Sequence, residues 1–237
     1  MNRIVYMVIK NLLRVPVWFH RIWKLSLPGD QHTLTERYDY IRNVVKKVNK
    51  SGKVEVEVHG VENLPSENGF ILFPNHQGLY DMLALIEASP KPLSVIVKKE
   101  ASNLILVKQV VNALNGFFID RKDMKASMNI IMQMTENVKK GFNYVIFPEG
   151  TRSREGNKLL SFKGGTFKSA VNAKCPIVPV ALIDCFKPFD EKSSKRLSVQ
   201  ICFLKPLYSE DYQALRTTQI AELVHDRIQE EINQNIG

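Results

Sequence analysis

The chain has 237 residues, 44% hydrophobic and 24% charged, which suits one globular domain, or one domain with an appendage, and excludes disordered, collagen-like and coiled-coil chains. Its three cysteines, Cys175, Cys185 and Cys202, stand in no C-x-x-C or Cys/His zinc pattern, so reduced thiols are expected, with no disulfide framework, metal or cofactor. The net charge is +9, and residues 1–50 supply +7 of it through ten Lys/Arg against three acids. An excess confined to one end points to an anionic surface met by the N-terminus, and away from nucleic acid, whose binders spread basic groups over a face.

Residues 1–27 carry Arg3, Lys10, Arg14, Arg21 and Lys24 and no acid. At about 100° per residue, these five fall within one stripe roughly 80° wide. Most of the remaining circumference is apolar and includes Trp18, Phe19 and Trp23. Pro16 is expected to split the stretch into two short helices. A transmembrane span needs about 20 apolar residues. Lys10 and Arg14 interrupt this one, and no small-residue cleavage site follows it as in a signal peptide. The expectation is that residues 1–30 form an amphipathic membrane-anchoring segment. Trp18, Phe19 and Trp23 would sit at headgroup level, with Arg3, Lys10 and Arg14 facing anionic lipid. The same pattern fits a helix packed on the domain, but that leaves many large apolar groups to be covered.

Residues 31–237 read as one α/β domain. Thr33 and Glu36 form a capping box at the head of a helix over 33–49, where Tyr38, Ile41, Val44, Val45 and Val48 recur at helical spacing. Asn49-Lys50-Ser51 matches a glycosylation sequon, discounted because no secretion signal precedes it. Val54, Val56 and Val58 alternate with Glu55 and Glu57, as in a half-exposed edge strand. Apolar runs follow at 70–73, 93–97, 117–119, 144–147, 177–183 and 198–204, with helical patterns near 80–88, 101–113, 123–140 and 218–235. The alternation predicts a mixed, largely parallel sheet flanked by helices.

In open α/β sheets ligands bind at the carboxyl ends of strands. Here those ends are followed by Asn75-His76 through Asp81, by Lys98-Lys99-Glu100, by Asp120-Arg121, and by Pro148-Glu149-Gly150-Thr151-Arg152-Ser153. On one continuous helix, His76 and Asp81 would point about 140° apart. With His76 in the turn and Asp81 in the first helical turn they can meet, and His76 becomes a general base oriented by a carboxylate. A turn histidine beside an N-capping aspartate fits the same spacing. Arg121 and Arg152 offer forks suited to phosphate, or to surface ion pairs. Glu149-Gly150-Thr151 suggests a turn with close backbone approach to a ligand, or a plain turn. No G-x-S-x-G elbow is present, and Cys175 and Cys202 lie in apolar runs where a thiol is inert. A base without an enzyme nucleophile fits direct attack by a substrate hydroxyl.

Together these residues resemble the glycerolipid acyltransferases, in particular the short bacterial 1-acyl-sn-glycerol-3-phosphate acyltransferases. Asn75, His76 and Asp81 match the N-H-x-x-x-x-D block, Gly116 to Arg121 match G-x-F-I-D-R, and Phe147 to Ser153 match F-P-E-G-T-R-S. Ile177 to Leu182 match an apolar block around a proline. The four blocks run in order over residues 70–183. The resemblance implies transfer of a fatty acyl group from acyl-CoA or acyl-carrier protein to the hydroxyl of a lysophospholipid acceptor, lysophosphatidic acid, with no acyl-enzyme. His76 would be the base and Asp81 its orienter. Arg121 and Arg152 would hold the acceptor phosphate, with Lys99 as a further contact. Glu149, Gly150 and Thr151 would help position the acceptor. It implies a peripheral or monotopic enzyme on the cytoplasmic face of the inner membrane. The rivals are the same chemistry on glycerol 3-phosphate, another lysophospholipid or an amino-lipid, and a non-catalytic basic module.

Overall fold

The computed structural model describes residues 3–120 and 122–235. Two short helices open the chain, α1 (Arg3–Lys10) and α2 (Val15–Leu25). The expected split is present, and Pro16 lies in the first turn of α2, where a missing N–H is tolerated. α3 (Leu34–Ser51) starts on the expected capping box: Glu36 N donates to Thr33 Oγ1 at 3.2 Å, and Thr33 N donates to Glu36 Oε2 at 2.7 Å. Asn49 of the sequon is buried and donates to Glu87 Oε2 at 2.6 Å, which leaves no room for a glycan.

Strands and helices then alternate as β1 (Val54–His59), β2 (Ile71–Pro74), α4 (Asp81–Ala88), β3 (Ser94–Lys98), α5 (Ile105–Ala113), β4 (Phe117–Ile119) and α6 (Met124–Lys139). They continue as β5 (Tyr144–Val145), α7 (Lys168–Ala173), β6 (Ile177–Ile183), α8 (Lys187–Asp190), β7 (Leu197–Phe203), α9 (Ser209–Tyr212) and α10 (Thr217–Asn235). Most boundaries shift by one or two residues from the sequence reading, and two elements differ in kind. The run 144–147 gives a strand of only two residues, because Phe147 and Pro148 already enter a turn closed by Gly150 N donating to Phe147 O at 3.1 Å. The helix expected over 101–113 begins as a 3₁₀ turn, Lys99–Asn103, before α5.

The sheet order is β1-β7-β6-β2-β5-β3-β4. Every neighbouring pair is parallel except β6–β7. The carboxyl ends of β2 to β6 therefore share one edge, and β1 and β7, running the other way, begin at that edge. β1 is the edge strand its alternating pattern predicted.

Two cores sandwich the sheet. On β6, Val178, Val180 and Leu182 face the core closed by Met7, Ile22, Leu25, Tyr38 and Leu85 from α1 to α4. Ile177, Ala181 and Ile183 face the other, closed by Val138 of α6 and by Ile220, Val224, Ile228 and Ile232 of α10. Period-two burial on both faces follows from helices covering both sides of a parallel sheet.

One basic residue departs from its expected place. Arg3 is fully buried, its guanidinium donating to Gly52 O at 2.6 Å and Lys195 O at 2.9 Å. It stands one turn from buried Met7, on the face of α1 that docks on the domain. The single basic stripe fails because the helix breaks between α1 and α2, so a wheel drawn through residues 3–24 has no physical axis. Lys10, Arg14, Arg21 and Lys24 are exposed, Trp18 and Phe19 are half-buried, and Trp23 is exposed. Ile4, Val5, Val8, Ile9, Leu12 and Val17 are also exposed, and Leu13 is 91% exposed. Among the described residues no helix is long and apolar enough to cross a membrane.

Candidate active site

The loop after β2 carries His76 at the carboxyl edge of the sheet. Asn75 locks its start by donating to Leu182 O at 3.0 Å and accepting from Leu182 N at 2.7 Å across β6. Asp81 is the first residue of α4 and fully buried. Its carboxylate accepts from Gln77 N at 2.7 Å and from Gly78 N at 3.0 Å. These bonds curl the loop back so that Asp81 Oδ2 lies 2.8 Å from His76 Nδ1. The turn-then-helix arrangement is thus what lets residues five apart meet. Gly78 permits it: a Cβ there would stand 3.2 Å from Phe186 Cα.

The loop after β5 grips the same histidine from the other side. Glu149 Oε1 accepts from His76 N at 3.0 Å, and Ser153 N donates to His76 O at 2.9 Å. The His76 ring stacks on Phe147 with centroids 4.1 Å apart. Its side chain keeps 23% exposure, so the imidazole is held at backbone, ring face and Nδ1 and still reaches solvent. An ionised carboxylate only accepts, so Asp81 fixes the tautomer with the proton on Nδ1 and a lone pair on Nε2.

Burial pushes the Glu149 carboxyl up to about 7, helped by the nearby Asp81 charge and opposed by the backbone N–H groups of His76 and Leu160. Gly150, also buried, takes φ +72°, the left-handed conformation its turn needs. Thr151 is exposed and Arg152 half-buried.

The remaining predicted residues sit farther along the edge. Lys99 follows β3 and pairs with Asp120, which follows β4, at 3.2 Å. The Lys122 backbone N–H and the Lys99 ammonium hold the Asp120 carboxyl below its usual range. With about 4.8 Å per strand, Lys99 lies roughly 10 Å and Asp120 roughly 14 Å from the end of β2. Arg121 lies outside the described residues. Gly116, at the head of its block, has a packing reason: a Cβ there would come within 2.4 Å of Val95 O.

Sequence reading missed three side chains of the site. Gln77 is buried, donates to Asn157 Oδ1 at 2.7 Å and accepts from Cys185 N at 2.7 Å. Asn157 donates in turn to Asp184 Oδ1 at 2.9 Å. Nothing in the spacing of these three announces contact, since they come from loops after three different strands.

A family model described as Acyltransferase matches residues 55–183. Among relatives, 1-acyl-sn-glycerol-3-phosphate acyltransferase alpha of Ovis aries is 28% identical over 179 residues, 74% of this chain and 60% of that protein. The 1-acyl-sn-glycerol-3-phosphate acyltransferase of Saccharomyces cerevisiae is 30% identical over 179 residues, 74% of this chain and 59% of that protein. The chain therefore spans about three fifths of the length of these relatives. The fold is that of the 1-acyl-sn-glycerophosphate acyltransferase of Thermotoga maritima, with TM-score 0.76 at 21% identity over 99% of this chain and 97% of the other. With the family model spanning more than half of its length and framing the His76–Asp81 loop, the chain belongs to the acyltransferase family.

Proposed function

We propose that this chain transfers a fatty acyl group from an acyl thioester, acyl-CoA or acyl-carrier protein, to the free hydroxyl of 1-acyl-sn-glycerol 3-phosphate, giving phosphatidic acid. The observation that carries the reading is the 2.8 Å contact between His76 Nδ1 and Asp81 on a solvent-reaching sheet edge. His76 Nε2 takes the proton of the acceptor hydroxyl, whose oxygen attacks the thioester carbonyl. The tetrahedral intermediate collapses, the carbon–sulfur bond breaks, and the thiolate leaves with a proton. Asp81 stabilises the imidazolium in between. Support for the acceptor comes from the relatives' names and from the cations along the edge. In this reading Arg152, Arg121 and Lys99 hold the phosphate, and Glu149, Gly150 and Thr151 shape the turn beside it.

Residues 1–30 are read as the membrane-associating segment and 31–237 as the acyltransferase domain. Support for this reading is that Gly52 and Lys195, to which Arg3 donates, precede β1 and β7 at the ends that lie on the edge of His76. Exposed Leu12, Leu13 and Val17 would enter the lipid, with Trp18, Phe19 and Trp23 at headgroup level and Lys10 and Arg14 against anionic headgroups. A peripheral or monotopic enzyme on the cytoplasmic face of the inner membrane reaches both a bilayer acceptor and a soluble donor.

The test is to incubate the purified chain in vesicles with acyl-CoA and acyl-carrier-protein donors against a panel of acceptors, following free thiol and product mass. Lysophosphatidic acid is expected to be the fastest acceptor. No thiol release with any pair, or equal rates with acceptors lacking phosphate, would overturn the reading.

A further inference from the structure

We propose that Asn157 and Gln77 are positioning residues that fix the reacting face of His76, through one buried amide relay joining the loops after β2, β5 and β6. This rests on the proposed acyl transfer with His76 as base.

Gln77 directly follows the histidine, so a rotation of its backbone is a rotation of His76. Gln77 is 2% exposed, yet both ends of its amide are satisfied, by Asn157 Oδ1 and by Cys185 N. Asn157 Oδ1 accepts a second bond, from Asp184 N at 2.8 Å, while its amide donates to Asp184 Oδ1. Asp184 stands at φ +62°, in the left-handed region that Asn and Asp visit more readily than other side chains. Its other oxygen pairs with Lys187 at 2.7 Å. Each atom thus has an assigned partner, and the polarity of the relay is fixed end to end.

Its purpose follows from what else holds the histidine. Glu149 and Ser153 secure the backbone of His76, and Asp81 secures Nδ1, but Asp81 is itself bonded to the N–H groups of the same loop. Gln77 and Asn157 add a side-chain tie from that pair to the loops after β5 and β6, beside the backbone ties that Glu149 and Ser153 make. A base displaced by about 1 Å from a hydroxyl placed by a phosphate far along the edge loses on the order of 10² in rate.

The relay allows a test by exchange. Asn157→Asp sets two carboxylates against each other, whereas Asp184→Asn still accepts from the Asn157 amide through its oxygen and loses the Lys187 ion pair. The double variant restores the bond with reversed polarity: the amide introduced at position 184 donates to the carboxylate introduced at position 157, while its oxygen accepts from Lys187. In vesicles with lysophosphatidic acid and acyl-CoA, Asn157→Asp is expected to lose about 10–100-fold in kcat with KM within about threefold, and Asp184→Asn to lose less. The double variant is expected to regain at least half of the Asn157→Asp loss on a logarithmic scale. Gln77→Met, which keeps the shape and removes both bonds, is expected to show the same split and is not rescued. Folding is followed by circular dichroism and thermal unfolding. Folded Gln77→Met or Asn157→Asp with wild-type kcat, or a folded double variant no faster than the slower single variant, overturns the proposal. If Asn157→Asp fails to fold, Gln77→Met decides alone, and if neither variant folds the relay is scaffold and the proposal falls. Wild type without turnover instead removes the acyltransferase reading itself.

Discussion

The guanidinium of Arg3 donates to the carbonyl of Lys195, 192 positions along the chain, at 2.9 Å. With its second bond to Gly52 O, this pins the first turn of α1 to the sheet edge that carries His76. Arg3→Met removes a buried charge-bearing donor and leaves two carbonyls unpaired, a loss on the order of 2–4 kcal/mol. Thermal unfolding is expected to fall by roughly 5–15 °C in a chain of this size. An unchanged midpoint, with binding to anionic vesicles merely weakened, would return Arg3 to the role of a surface cation.

Deleting residues 1–27 is a poor test of membrane contact, because Met7, Ile22 and Leu25 are core residues and their loss uncovers the first core. Leu12 and Leu13 suit it better, at 63% and 91% exposure. The pair Leu12→Glu and Leu13→Glu is expected to cut cosedimentation with anionic vesicles by about tenfold or more, through lost apolar insertion and added like-charge repulsion. Thermal unfolding in solution is expected to stay within about 2 °C. Full retention on vesicles would mean that this face does not meet lipid.

At the site, His76→Ala is expected to lose about 10²–10⁴ in kcat with little change in KM. Asp81→Asn keeps the size but turns an amide toward N–H donors that now meet an acceptor-only carboxylate, so it is expected to lose a comparable factor through the wrong tautomer. A steady-state kcat near wild type in His76→Ala would falsify the assignment of the base.

Glu149 links folding to pH. Its carboxyl titrates at about 7 in the folded protein against a normal 4.5. Between those values the folded state binds more protons than the unfolded one, so stability falls as pH rises from about 4.5 to about 7 and then levels. Glu149→Gln keeps an acceptor for His76 N but cannot ionise. Its unfolding midpoint is expected to show a flatter slope across that window, whatever constant offset the amide brings at Leu160. Parallel midpoint-versus-pH curves for the two proteins would show that Glu149 does not titrate there.

By itself, the sequence determined what depends on local order. The capping box of α3, the break near Pro16, the edge character of β1 and the strand–helix alternation are set by residues within a few positions of each other. The pairing of His76 with Asp81 was also legible, because a five-residue loop closing on a helix start admits it. The tertiary structure alone decided what depends on separate segments meeting. It put Arg3 inside although its helix face looked basic, because α1 docks through Met7 and carries Arg3 in with it, where two carbonyls at the starts of β1 and β7 offset part of the cost of desolvating the guanidinium. It brought Gln77, Asn157 and Asp184 into one relay, because parallel strands deliver distant loops to a common edge. It also set Lys99 and Asp120 two and three strands from the histidine, a spacing that sheet order fixes and linear order does not.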